Sequence, residues 1–97
     1  APYHIAVLPL MKKDGLAEEA HTIHEALLKH FRSDYDESGS VGKRYRRHDE
    51  IGTPYCVTVD YETKDDRCVT VRDRDTMTQE RVKIDELIAY FSSKINS

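Results

Sequence analysis

The stretch Tyr55–Asp75, YCVTVDYETKDDRCVTVRDRD, contains two strand patterns separated by a short charged segment. Tyr55–Tyr61 and Cys68–Asp75 are both rich in β-branched residues and alternate in polarity, which is typical of β-strands. The intervening Glu62–Arg67 has the length of a hairpin loop, so we expect the two strands to be antiparallel neighbours. One antiparallel step is therefore predicted for the sheet that the rest of the chain builds.

The residues that precede this pair predict a strand, a helix and a second strand. His4–Leu10 is a nearly continuous apolar run, as in a strand buried on both faces. Apolar side chains then recur at helical spacing from Leu16 to Phe31, after a turn in which Asp14 is the candidate helix cap. Ser33–Glu37 is short and polar, which favours a strand at the edge of the sheet.

A second helix is predicted over Val41–Ile51, with Gly52 as its C-terminal stop. Its spacing turns Val41, Tyr45 and His48 inward. Four basic residues fall mainly on the opposite arc at about 100° per residue. They are Lys43, Arg44, Arg46 and Arg47.

Beyond the strand pair, Gln79–Ile84 predicts a third, shorter strand. Asp85 is the candidate cap of a last helix with four inward side chains: Leu87, Ile88, Phe91 and Ile95. The predicted order is β-α-β-α-β-β-β-α, which indicates an α/β domain whose mostly parallel sheet is covered by helices on both faces.

Composition limits the function classes. The chain has 97 residues, of which 38% are hydrophobic and 34% are charged, and it carries a formal net charge of -3. This length predicts one domain spanning residues 1–97, and any anion binding must come from local clustering of basic residues. The two cysteines and the lack of a signal peptide or long apolar run indicate a cytoplasmic protein with reduced thiols and no membrane association. The first residue, Ala1, suggests a processed chain or, better, a fragment of a larger protein.

Three kinds of catalytic or cofactor site are poorly supported. Gly39 and Gly42 are only three residues apart and Arg44 follows Lys43, so the loop lacks the glycine spacing and the hydroxyl of a Walker A motif. The histidines and cysteines do not form a recognisable zinc pattern. No serine or cysteine has the surroundings of a nucleophile. We therefore expect no catalytic residue, metal or cofactor in this domain.

Two charged clusters remain. The basic residues of the second helix suit either a solvated surface or a contact with RNA phosphates. In Arg72–Asp75 the arginines offer planar donor forks, and the carboxylates can accept a hydrogen bond from the exocyclic amine of cytosine. The alternative for this cluster is a ladder of internal ion pairs, and the charge pattern alone does not decide between the two.

Two long segments resemble a known family. SGSVGKRYRRHDEIGTPYCVTVDYET (Ser38–Thr63) and VTVRDRDTMTQERV (Val69–Val82) are similar to the C-terminal anticodon-binding domain of glycyl-tRNA synthetases of the dimeric class II type. HIAVLPL (His4–Leu10) resembles the opening strand of that domain. The resemblance implies a three-layer α/β/α fold with a five-stranded mixed sheet. It also implies a homodimeric parent enzyme that uses ATP and magnesium, in a separate catalytic domain, to join glycine to its tRNA.

The resemblance implies that this domain is not catalytic and holds the tRNA anticodon loop, with no role for DNA. The glycine anticodon ends in two cytosines, and unpaired bases can be read on their Watson–Crick edges. We assign base reading to Arg72, Asp73, Arg74 and Asp75, with Thr53 and Tyr55 nearby. We assign backbone phosphate contacts to Lys43, Arg44, Arg46 and Arg47, although some of these arginines could pair internally with Asp49 and Glu50. The alternative is an accessory or protein-interaction subunit of the same fold without ligase activity.

Overall fold

A five-stranded mixed sheet forms the centre of the computed structural model, which describes residues 3–95 without the side chain of Val41. The strand order is β2-β1-β3-β4-β5, with β1 parallel to β2 and β3 and with β4 antiparallel to β3 and β5. The strands are β1 (Ile5–Pro9), β2 (Ser33–Tyr35), β3 (Tyr55–Val59), β4 (Cys68–Asp73) and β5 (Gln79–Lys83). The antiparallel β3–β4 pair and the edge position of β2 confirm the sequence predictions.

Helices cover both faces of this sheet. They are α1 (Leu16–Leu28), α2 (Val41–Ile51), the short α3 (Thr63–Asp66) and α4 (Leu87–Ile95), with a 3-10 turn at Ile84–Glu86. The larger core joins one face of the sheet to the inward side chains of α1 and α4, whereas Tyr45 of α2 packs on the opposite face. The predicted three-layer α/β/α arrangement is thereby confirmed.

The interior strand β1 shows why its sequence lacks polar alternation. Ile5 and Val7 belong to the larger core, while Ala6 and Leu8 belong to the smaller core beneath α2. All four side chains are fully buried, because helices pack on both faces of this strand.

Some local predictions are wrong. Gly15, with φ +79°, takes the cap position of α1, whereas the Asp14 carboxylate accepts a hydrogen bond from the Tyr61 hydroxyl at 2.8 Å. Ile88 lies on the outer side of α4 and is 36% exposed. The segment predicted as a plain loop contains α3. The predicted inward position of Val41 falls outside the described side chains.

The chain reversal after α2 brings the end of this helix close to the β4–β5 turn. Gly52 ends α2 in the left-handed conformation, with φ +82°, which a glycine adopts at little cost. The backbone then enters β3 at Tyr55, whose register partner is Asp73 at the end of β4. The C-terminus of α2, the loop 52–54 and the β4–β5 turn therefore meet at one edge of the sheet.

Candidate nucleic-acid interface

The turn between β4 and β5 is built by Asp73. Its carboxylate accepts hydrogen bonds from the backbone N–H groups of Asp75 at 2.9 Å and Thr76 at 3.2 Å. The Arg74 N–H donates to the Pro54 carbonyl at 2.9 Å, which ties the turn to the loop before β3. Because the two bonds to the Asp73 carboxylate curl the chain, β4 ends at Asp73 and the prediction of a strand through Asp75 is wrong.

Arg72 lies against helix α2. Its guanidinium donates to the Asp49 carboxylate at 3.1 Å, and its central carbon sits 4.9 Å from the centre of the Tyr45 ring. The side chain is only 13% exposed. Arg72 therefore forms the internal ion pair that the sequence left open, and the contact also orders the surface around it.

Arg74 and Asp75 are the accessible members of the Arg72–Asp75 segment. Their side chains are 41% and 79% exposed, respectively, and are joined by an ion pair of 3.4 Å. The Nε of Arg74 donates to the main-chain carbonyl of Asp49 at 3.1 Å, so one side of its fork is anchored while the other faces outward. This pair presents both a donor fork and a carboxylate to solvent.

Thr53 and Tyr55, the two residues expected near this turn, lie in different environments. Thr53 is 1% exposed, and its hydroxyl lies 3.1 Å from Nδ1 of the buried His48. The assignment of Thr53 to base reading is therefore corrected, because its side chain belongs to the interior. Tyr55 is half-buried and lies beside Phe91, with ring centres 5.4 Å apart. Burial raises the pKa of its hydroxyl, and the Asp73 and Asp75 carboxylates raise that pKa further.

The prediction that Arg44 lies on the outer arc of α2 is also wrong. Its side chain is only 3% exposed and donates to the main-chain carbonyls of Pro9, Asp36 at 3.2 Å and Leu10 at 3.4 Å. These carbonyls lie at or just after the carboxyl ends of β1 and β2. The Arg44 guanidinium thus fastens α2 to the sheet and drops out of the predicted set of RNA backbone contacts.

Arg47 is shared between the surface and an internal partner. Its guanidinium pairs with the Asp36 carboxylate and donates to the Ser38 hydroxyl at 3.1 Å, while 45% of the side chain stays exposed. Burial acts to raise the pKa of Asp36, but hydrogen bonds from Ser38 and Arg47 outweigh it and hold that pKa below its ordinary value. Nε2 of His48 is buried 3.4 Å from the same carboxylate.

Lys43 and Arg46 match the predicted exposure. Both are exposed on α2, and neither side chain makes a hydrogen bond or an ion pair within residues 3–95. Their charges are therefore available to a polyanion, in contrast to that of Arg44.

Two residues outside the predicted set complete this surface. Asp49 holds Arg72 through its carboxylate and Arg74 through its carbonyl. Met77, at the tip of the turn, is 66% exposed, and its sulfur lies 3.8 Å from the Arg72 guanidinium. A signal existed for Met77, since a large apolar side chain within a polar turn between two strands has no core to enter.

The described part of the chain, residues 3–95, offers little for other site classes. It contains no group of three or more His, Cys, Asp and Glu side chains arranged to hold a metal. None of its helices combines the length and apolar character needed to cross a bilayer. The two cysteines form no disulfide, and Cys56 is buried.

Residues 4–94 match the family described as "Anticodon binding domain". The chain belongs to this family. Over 96 residues it is 62% identical to "Glycine--tRNA ligase" of Acetivibrio thermocellus, and over 95 residues it is 63% identical to the protein of that name from Geobacillus kaustophilus. These alignments cover 99% and 98% of the chain but only 20% of each relative, so the chain spans about a fifth of their length.

Two solved structures have the same fold as this chain. The RNA binding domain of threonyl-tRNA synthetase from Cryptosporidium parvum Iowa II superposes with a TM-score of 0.85 at 28% identity, covering 96% of this chain and 24% of that one. A prolyl-tRNA synthetase from Cryptosporidium parvum superposes with a TM-score of 0.91 at 19% identity, covering 99% and 21%, which shows the fold alone. The resemblance to a glycyl-tRNA synthetase anticodon-binding domain is thus confirmed, and the accessory-subunit alternative is not favoured.

Proposed function

We propose that this chain is the domain, residues 1–97, through which a longer glycine–tRNA ligase holds the anticodon loop of its tRNA. The observation that carries the proposal is the exposed Arg74–Asp75 pair, held in place by Asp49 in a chain of the anticodon-binding family. The pair combines a fork of N–H donors with a carboxylate acceptor. A cytosine edge offers the complementary acceptors and an amine donor.

In this proposal the β4–β5 turn contacts bases and the exposed side of α2 contacts phosphates. Arg74 and Asp75 would contact unpaired bases, while Lys43, Arg46 and the exposed part of Arg47 would contact backbone phosphates. Arg72 and Asp73 would support these contacts without touching the RNA. Arg72 packs on Tyr45, and the Asp73 carboxylate closes the β4–β5 turn. Phosphate contacts supply affinity without sequence information, so specificity would depend on the turn.

Glycine activation with ATP and magnesium belongs, in this proposal, to a part of the ligase outside this chain. The parent enzyme is proposed to be a cytoplasmic homodimer. This domain contributes recognition of tRNA and takes no part in the reaction with glycine.

A titration with an RNA anticodon stem-loop tests the proposal. We expect the chain to bind a stem-loop with the glycine anticodon more tightly than one whose two cytosines are replaced by uracils. Replacement of Asp75 by Ala should reduce that preference about tenfold, the order of one good base contact. Asp65→Ala is the matched control, because Asp65 is exposed on α3. Equal preference in D75A and the unmodified chain would contradict the assignment of Asp75.

A further inference from the structure

Met77 is the most exposed large apolar side chain in the part of the chain that the structure describes. It is 66% exposed, against 49% for Leu28, the next in order. It lies in the β4–β5 turn, two residues after Asp75. Isolated exposed apolar residues are common on protein surfaces, so the backbone and the contacts of Met77 decide whether it has a role.

The backbone of Met77 is held in the left-handed region, with φ +60°. A residue with a Cβ adopts this conformation at a cost that glycine avoids and that asparagine and aspartate reduce. Among the residues described, Asp14 and Arg67 are the other non-glycine residues with positive φ, and each has a polar side chain that forms a hydrogen bond or an ion pair. Met77 combines the strain with an exposed apolar side chain, so stability alone favours a different residue at this position. Strain of this kind is typical of functional sites.

The surroundings of the turn order the Met77 side chain. The Met77 N–H donates to the Asp73 carbonyl at 2.9 Å. The Met77 sulfur lies 3.8 Å from the Arg72 guanidinium, whose central carbon sits 4.9 Å from the centre of the Tyr45 ring. Arg72 is held in turn by the Asp49 carboxylate at 3.1 Å. The thioether therefore rests on side chains that connect it to helix α2.

Met77 and the Arg74–Asp75 pair offer complementary parts of a base-binding site. The Arg74 fork and the Asp75 carboxylate can bind the edge of an unpaired base by hydrogen bonds, but they leave the faces of its ring uncovered. Proteins that bind unpaired bases cover these faces by stacking. The methionine sulfur is polarizable and makes favourable contacts with aromatic rings, and methionine is one of the apolar side chains that proteins place against bases.

We propose that Met77 is the platform that covers one ring face of an anticodon-loop base whose edge is bound by Arg74 and Asp75. This assignment rests on the proposed function and adds an apolar contact to it. The platform contributes affinity without discriminating between cytosine and uracil, because every base has a face on which to stack. The role of Met77 is thereby separable from that of Asp75, which reads the edge.

The substitution Met77→Asn separates the platform from the fold. Asparagine tolerates the left-handed conformation, so M77N should melt at the temperature of the unmodified chain or slightly above it. We expect M77N to bind the glycine anticodon stem-loop about fivefold more weakly, the order of one sulfur–aromatic contact. Binding of the stem-loop with uracils should weaken by the same factor. M77L keeps an apolar side chain of similar volume and should bind within about twofold of the unmodified chain. Fluorescence anisotropy with labelled stem-loops and thermal unfolding followed by circular dichroism measure these effects.

Methyl NMR reads the stacking directly. The chain has two methionines, so a chain labelled with 13C at the methionine methyl groups gives two signals, and M77L identifies the one that belongs to Met77. Stacking on a base should move the Met77 methyl proton signal upfield as the stem-loop is added, because of the ring current of the base. A Met77 methyl signal that stays in place when the RNA is saturating would overturn the proposal.

The matched control is Leu28→Asn. Leu28 is also exposed, and it ends α1, which leads to β2 at the opposite edge of the sheet. L28N should bind both stem-loops as the unmodified chain does, and equal weakening in M77N and L28N would refute the platform. Failure of the proposed function has a different signature. An unmodified chain without a preference for the cytosine stem-loop refutes that function, whereas an intact preference with unchanged binding in M77N refutes the platform alone.

Discussion

Asp49→Asn removes the charge that holds Arg72 while preserving the size of the side chain. In the folded protein the Arg72 guanidinium lies 3.1 Å from the Asp49 carboxylate, and their side chains are 13% and 36% exposed. Coulomb's law at this distance gives about 5 kcal/mol of attraction for an effective dielectric constant of about 20. Desolvation of the two charges and ordering of their side chains offset most of this attraction. Because the pair is partly exposed, removing it should lower the free energy of unfolding by an amount between those for surface and buried ion pairs, about 1–2 kcal/mol.

Urea unfolding followed by circular dichroism measures this loss. We expect the free energy of unfolding of D49N to fall by about 1–2 kcal/mol and its melting temperature to fall by roughly 5–15 °C. Asp65→Asn is the control, since the exposed Asp65 carboxylate makes no hydrogen bond or ion pair within residues 3–95, and it should change stability by less than about 0.5 kcal/mol.

A double-mutant cycle with R72M isolates the pair itself. The two substitutions should be less costly together than the sum of their separate costs, with a coupling energy of about 1 kcal/mol or more. A D49N protein as stable as the unmodified chain, or a coupling energy of zero, would refute the view that this ion pair orders the surface beneath the turn.

Three further predictions concern the other face of α2 and the core. The Asp36 carboxylate stabilises the fold fully above its ordinary pKa of 3.8, and this contribution is lost as the pH falls through its lower folded-state pKa. The difference in unfolding free energy between the unmodified chain and D36N should therefore stay constant from about pH 7 to about pH 5 and shrink below about pH 4, and a difference that is flat through that acid range would contradict the ion pair. Arg44→Gln should cost about 2–4 kcal/mol in urea unfolding, because it leaves buried carbonyls without their donors, whereas Arg46→Gln should cost less than about 0.5 kcal/mol; equal costs would show that Arg44 is not buried in solution. Burial raises the pKa of the Cys56 thiol to about 12, so iodoacetamide at about pH 8 should label Cys68 in the folded chain and reach Cys56 only after unfolding, as mass spectrometry of the labelled peptides would show.

The burial of Arg44 could not be predicted from the sequence with certainty. Its spacing already indicated the inner face of α2, because it lies four residues before the inward His48 and would share its side of a helix. Its charge favours an exposed position, whereas its helical spacing favours the interior. A buried arginine becomes favourable only because the carbonyls after β1 and β2 converge on one point, and that convergence exists only after the strands have paired.

The predicted end of β4, at Asp75, differs from the observed end at Asp73 for a related reason. RDRD alternates like a strand, but the Asp73 carboxylate binds the backbone amides that follow it and closes a turn. Aspartate is prone to such local bonds, and its neighbours along the chain did not reveal which conformation would prevail. The pairing of β4 with β3 ends at the same place, because the Arg74 N–H donates in register to the carbonyl of Pro54, which has no N–H to donate in return.

The sequence by itself determined the order of the five strands with α1, α2 and α4, and the antiparallel β3–β4 pair, because periodicity and turn residues are local properties of the chain. The second antiparallel pair, β4–β5, and the short α3 were not predicted. Only the tertiary structure decided which charges face solvent. Of the charged side chains that the sequence assigned to RNA contacts, Arg44 is buried among main-chain carbonyls of other segments and Arg72 is packed on Tyr45. A charged side chain settles where partners from distant segments can replace its water, and those partners are brought together only by the fold.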